Sequence, residues 1–251
     1  MQKATLVSFS LAAVLFGVFC VPGMTRAAEA GKTKVLIITG DDVKSHNWRE
    51  TTPCTKEILD KAGKFDTTVV EGLATLNSKD ELAKFDVIYY MLYNSKKVEL
   101  SDEAKANLVA FVKDGKGLVV THLASASFPK WEEWGKLCGR YWKMGASGHG
   151  PGGEFENKVV VKDHPITKGL EDFKTTDELY AKLLGDEKIN ILVTADSSWS
   201  KKTEPMVWTV DYGKGRVACH TFGHDKKAFE SAGVQKIVVN TTAWAASGKT
   251  E

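Results

Sequence analysis

Short, unbroken apolar runs alternate along this chain with longer segments whose apolar positions recur at three- and four-residue spacing. Lys34 to Gly40 is the first such run, apolar from Val35 to Ile38 and ended by Gly40-Asp41-Asp42, as suits a strand buried on both faces. Thr52 is placed to cap a helix with Pro53 at its first position and Gly63 at its end. Thr67 to Val70 reads as a second strand and Phe85 to Tyr93 as a third. Ser101-Asp102-Glu103 opens a further helix whose apolar face is Ala104, Leu108, Phe111 and Val112, closed by Gly115. Gly117 to His122 is the fourth strand, and the turn Leu123 to Ala126 leads into a helix carrying Phe128, Trp131, Trp134 and Leu137. Beyond residue 150 the texture changes to strands, at Glu154 to Lys162, Ile189 to Thr194, Glu204 to Val210 and Arg216 to Thr221, and a helix from about Lys226 to Ala246 ends the chain.

This order predicts one α/β domain, a doubly wound, mostly parallel sheet with helices on both faces. Such sheets bind ligands beyond the carboxyl ends of their strands. That rule selects the loops Asp41 to Trp48, Tyr93-Asn94-Ser95, His122 to Ser127 and Thr221 to Asp225.

Residues 1–30 stand apart. Lys3 precedes an apolar run from Leu6 to Val21, then Pro22-Gly23 and a small-residue site at Ala28-Glu29-Ala30, the layout of a secretory signal peptide cleaved after Ala30. The expected product is an exported protein, periplasmic or extracellular, spanning 31–251 and with no membrane span of its own. Phe19 beside Cys20 fits a lipoprotein site poorly. The formal charge is +2, and removing Lys3, Arg26 and Glu29 leaves +1, too little field to hold nucleic acid. Cys54, Cys138 and Cys219 then remain, an odd, scattered set that reads as small buried apolar residues.

The chemistry concentrates in histidine. Of 6 histidines, His46, His122 and His224 fall in the selected loops. His122 ends a buried strand, where a sharp turn exposes a side chain as a general base or a metal ligand. His224-Asp225 puts an imidazole and a carboxylate together at another strand end, while His220 lies inside its strand and reads as structural. Residues 145–153 form a glycine-dense loop with His149 at its centre, lacking the lysine and helix of a phosphate-binding loop. His46-Asn47-Trp48 places an imidazole, an amide and an indole together, the polar edge and aromatic face that a sugar ring requires, and 7 tryptophans exceed the needs of this core. Asp177 and Glu178 are open as general acid or as helix-cap carboxylates.

Taken in order, Thr39-Gly40 with His46-Asn47-Trp48, Gly117 to His122, Gly148-His149-Gly150, His164 to Leu170 and Asp177-Glu178-Leu179-Tyr180 resemble the ThuA-like family, named for trehalose utilisation. Glu204 to Trp208, Tyr212 to Val217 and Gly223-His224-Asp225 complete the series, which spans about Lys34 to Ala246. The resemblance implies a flavodoxin-like fold similar to class I glutamine amidotransferases, in which an elbow cysteine is paired with a late histidine and an acidic residue. Here the elbow at His122-Leu123-Ala124 carries no cysteine, so glutamine hydrolysis is not expected. The family link points to disaccharides and glycosides related to trehalose, processed as 3-keto sugars made by a partner dehydrogenase. On that reading His122 and His149 act as base or as ligands of a divalent metal ion, and His224 donates a proton, oriented by Asp225. His46, Asn47, Trp48, Tyr93, Asn94, Ser125, Glu178 and Trp208 then bind the sugar. The alternative is a non-catalytic sugar-binding protein on the same fold.

Overall fold

The computed structural model describes Met1 and residues 31–248. The expected signal peptide, its cleavage after Ala30 and Cys20 fall on residues outside those described. No helix among the described residues is long and apolar enough to cross a membrane.

A nine-stranded sheet runs in the order β2-β1-β3-β4-β11-β10-β9-β6-β7. Its parallel half is β1 (Thr33–Thr39), β2 (Phe65–Glu71), β3 (Val87–Tyr90), β4 (Gly117–Thr121) and β11 (Gly215–His220). An antiparallel half continues it through β10 (Lys202–Tyr212), β9 (Asn190–Ser197), β6 (Gly153–Val159) and β7 (Phe173–Asp177). A separate two-residue ladder joins β5 (Gly148–His149) to β8 (Tyr180–Ala181), pairing His149 with Tyr180.

The strands are apolar at successive positions because both faces are covered. Val35, Ile37, Val87, Tyr89 and Val119 face α1 (Trp48–Lys61) and α5 (Ala232–Ser247), whose Leu59, Val234, Ile237 and Val238 complete that layer. Leu36, Ile38, Ile88, Leu118 and Val120 face the other way, onto Leu82 of α2 (Lys79–Ala83), Leu108 and Phe111 of α3 (Asp102–Lys113), and Trp134 and Leu137 of α4 (Glu132–Cys138). Cys54, Cys138 and Cys219 are free thiols, the last two buried.

Three helix boundaries differ from expectation, each for a local reason. The first helix starts at Trp48 rather than beyond Thr52, because the Asn47 side chain accepts from the Arg49 N–H and caps it there, leaving Pro53 inside the helix. Pro129 disfavours helical geometry for Phe128, so only Trp134 and Leu137 of the expected set lie in α4. The terminal helix is broken at Ser231, which is extended and donates to the Lys174 carbonyl, separating a 3-10 turn at Lys226–Glu230 from α5.

Close packing of α5 on the sheet depends on Gly117, where an added Cβ would lie 2.5 Å from the Ala245 carbonyl. Gly117→Ala is therefore expected to cost about 1–3 kcal/mol, the range of an overpacked core. Urea unfolding checks this, and an unchanged midpoint contradicts the packing.

Candidate functional site

At the carboxyl ends of β1, β4 and β11 three loops each deliver one imidazole. His46 follows β1 and His224 follows β11. His122 stands directly after β4 with φ 47°, a left-handed conformation that costs a residue with a Cβ free energy. That elbow turns the ring out of the sheet plane, and its Nδ1 donates to the Thr221 carbonyl at 2.6 Å. The bond fixes the tautomer, leaving the Nε2 lone pair facing the site.

A fourth strand end supplies the acid. β7 lies at the far edge of the sheet, yet the Asp177 carboxylate at its end accepts from the N–H groups of Glu178, Gly223 and His224 at 2.8, 2.8 and 3.2 Å. The segment after β7 is thereby tied to the end of β11. Glu178 enters among the histidines, with Oε2 3.2 Å from His224 Nδ1, 3.6 Å from His122 Nε2 and 3.8 Å from His46 Nε2. Its other oxygen, Oε1, is 3.3 Å from His149 Nε2, delivered by the β5–β8 ladder and oriented by an Nδ1 hydrogen bond to the Gly150 carbonyl. Trp199 packs against Gly148 and Gly150, and a Cβ on Gly148 would come within 2.4 Å of its ring, so the loop is glycine-rich where the indole presses on it.

Tyr180 closes the group from below, its hydroxyl 2.8 Å from His122 Nε2 and its ring stacked 4.3 Å from the His122 ring. Trp142 forms an adjoining wall, 4.4 Å from Tyr180 and 5.9 Å from His149 between ring centres. His149 and His224 are the more open members, with side chains 31% and 25% exposed against 6% for His122.

Charge in this cluster is uneven. Burial pushes the Glu178 carboxyl up, but the imidazoles of His122 and His224 outweigh it and hold the group well below the usual carboxylate range. Contact with that carboxylate raises His224. Burial, reinforced by His122 and His224, pulls His46 down to about 3, so its ring is neutral at pH 7. One atom from each of His46, His122, Glu178 and His224 lies within 4.8 Å of the others, a set that could hold a metal ion.

No curated protein matches the chain significantly. The sequence pattern of the ThuA family, described as trehalose utilisation, matches residues 34–245. The chain belongs to the ThuA family. Among solved structures it is similar to a putative ThuA-like protein from Parabacteroides merdae, with 28% identity, a TM-score of 0.75 and coverage of 87% of this chain and 91% of that one. A putative ThuA-like protein from Bacteroides uniformis follows at 18% identity and TM-score 0.68, covering 88% of this chain and 94% of that one. A putative GMP synthase protein from Thermoplasma acidophilum, at 12% identity and TM-score 0.55 over 87% of this chain and 96% of that one, shares the fold alone. The ThuA chain thus has the flavodoxin-like, class I glutamine amidotransferase-like fold expected from its sequence.

The ThuA fold brings together five expected residues, His46, His122, His149, Glu178 and His224. Others sit elsewhere. Asp225 does not orient His224; its carboxylate accepts from Lys227 N–H and caps a 3-10 turn, while Asp177 and Glu178 hold the histidine. Asn47 is occupied as the α1 cap. Asn94 binds both polar groups of Val98 and closes its own turn. Trp208 is buried and donates to the Cys138 carbonyl, so it is core. Ser125 bonds the His122 carbonyl and the Trp142 N–H, which makes it a brace between elbow and wall. Trp48 and Tyr93 line a small cavity beside His46 and His122. His220 lies within β11, its Nε2 2.9 Å from the Tyr89 hydroxyl, in the structural role expected.

Tyr180 and Asp177 carry roles the residue-by-residue reading missed. A signal existed: Asp177 and Tyr180 flank Glu178 in the same short string, between the end of β7 and the start of β8. Asp177→Ala leaves three N–H groups without their acceptor and is expected to cost about 3 kcal/mol or more, against about 1 kcal/mol for the exposed cap in Asp225→Ala. Urea unfolding of the two variants checks the order, and equal losses contradict it.

Proposed function

We propose that this ThuA protein is an exported carbohydrate-processing enzyme that cleaves 3-keto-disaccharides or glycosides related to trehalose by elimination. The observation that carries the reading is the convergence of four imidazoles on one carboxylate at the carboxyl ends of the sheet. A 3-keto group acidifies the neighbouring C2–H, so removing that proton forms an enolate, whose collapse expels the C1 substituent and leaves a 1,2-unsaturated 3-keto sugar. The leaving oxygen takes up a proton. This chemistry requires a base and a positively charged partner for the C3 oxygen, rather than two carboxylates astride the glycosidic bond.

His149 suits the base. Its Nδ1 proton is committed to the Gly150 carbonyl, its Nε2 lies 3.3 Å from the Glu178 carboxylate, which stabilises the imidazolium formed when that nitrogen takes the proton, and it is the most exposed of the imidazoles around Glu178. His224, raised by its contact with the Glu178 carboxylate, is the cationic group that meets the developing oxyanion, with the neutral ring of His46 and with His122 beside it and Glu178 holding all three. Trp142, beside His149, and Trp48, lining the cavity beside His46, offer aromatic surface for the sugar rings. A dehydrogenase that oxidises the sugar at C3 supplies the substrate. The N-terminal apolar run with its small-residue site supports export.

Incubation with matched plain and 3-keto disaccharides, followed by mass spectrometry, tests this. Cleavage of the keto sugars alone is expected, with His122→Ala and His149→Ala each lowering turnover at least about 100-fold, the lower end of a general acid–base contribution. Tight binding of plain saccharides without any product favours the non-catalytic sugar-binding protein instead.

A further inference from the structure

We infer that His46, His122, His224 and Glu178 form a binding site for a single divalent transition-metal ion of the zinc type. The inference deepens the reading above by naming what carries the positive charge, but it stands on coordination geometry and holds whatever the substrate.

The spacing is that of a ligand shell. A tetrahedral ion at 2.0–2.1 Å from its ligands separates them by about 3.3 Å. Here His46 Nε2 to His122 Nε2 is 3.0 Å, His224 Nδ1 to Glu178 Oε2 is 3.2 Å, His122 Nε2 to Glu178 Oε2 is 3.6 Å and His46 Nε2 to Glu178 Oε2 is 3.8 Å. These four edges bracket the required value, and all four atoms lie within 4.8 Å of one another, so drawing in the longer separations completes the shell.

Hydrogen bonding alone leaves the same atoms in conflict. With Nδ1 committed to Thr221, His122 Nε2 has one lone pair and faces two partners, the Tyr180 hydroxyl at 2.8 Å and His46 Nε2 at 3.0 Å. Glu178 Oε2 and His224 Nδ1 are both buried, and neither makes a hydrogen bond although they are 3.2 Å apart. A cation between the four atoms satisfies every one of these lone pairs at once.

The surroundings match those of a built metal site. His122 is oriented by a main-chain carbonyl and His46 by the Ser45 hydroxyl at 2.8 Å, the outer contacts that fix ligating imidazoles. His224 is held through its own N–H by Asp177. Three nitrogens and one carboxylate oxygen suit zinc, cobalt or nickel, whereas calcium and magnesium require oxygen shells. His149 faces the other oxygen of Glu178, stays outside the shell and remains available as the base.

The test is calorimetric titration of zinc chloride into untagged, chelator-treated protein, with cobalt(II) absorption as a second readout and no substrate present. One zinc ion per chain is expected, together with a tetrahedral cobalt spectrum, and His149→Ala should retain both. His122→Ala and Glu178→Gln should weaken zinc at least 100-fold, with circular dichroism reporting the fold; if His122→Ala does not fold, the near-isosteric Glu178→Gln decides. No saturable binding by the wild type, or unchanged affinity in folded Glu178→Gln, overturns the site. Metal binding without keto-sugar cleavage leaves this inference standing and removes the reading of the substrate, while cleavage without metal binding does the reverse.

Discussion

Asp177 is the joint on which the site depends. Its carboxylate gathers three main-chain N–H groups from two separate segments, one leaving the edge strand β7 and one leaving the central strand β11. Burial raises this carboxyl, opposed by His122 and the three N–H groups. The result is a rigid splice across the carboxyl end of the sheet. Without it Glu178 would remain at the sheet's far edge and the imidazoles would face one another with no anion between them.

The architecture therefore uses its two halves differently. The parallel strands β1, β4 and β11 place His46, His122 and His224 by the general rule that loops at their carboxyl ends converge. The antiparallel extension, through β7 and the β5–β8 ladder, folds back to contribute Glu178, Tyr180 and His149. The elbow after β4 holds His122 at φ 47°. An imidazole therefore stands at the fold's point of strain.

How much of this was legible follows from how local each signal is. The parallel core was readable because β1 and β4 are buried on both faces and appear as unbroken apolar runs, and because Ser101 caps α3 as its side chain suggests. β7, with exposed Lys174 and Thr176 in its short span, shows no such run, and neither do α2 or the two-residue strands. In the site, strand-end position found His46, His122 and His224, and the glycine-rich loop pointed to His149. Asp225, adjacent to His224 in sequence, drew attention from Asp177, which is 47 residues from His224 and yet bonds its N–H. Trp208 shows the converse error, since an aromatic in a family-like string serves the core as readily as a ligand. Pairing across the sheet is long-range information that no local pattern carries.

The central claim is that the cluster around Glu178 removes a proton from a carbon made acidic by a neighbouring ketone. Deuterium exchange at C2 of a 3-keto disaccharide, followed by proton NMR in D2O with catalytic amounts of protein, reads that step directly. Accelerated loss of the C2 proton signal, accompanying cleavage and abolished in His149→Ala, is the predicted result. Cleavage that proceeds with the C2 proton retained in every product would contradict the account.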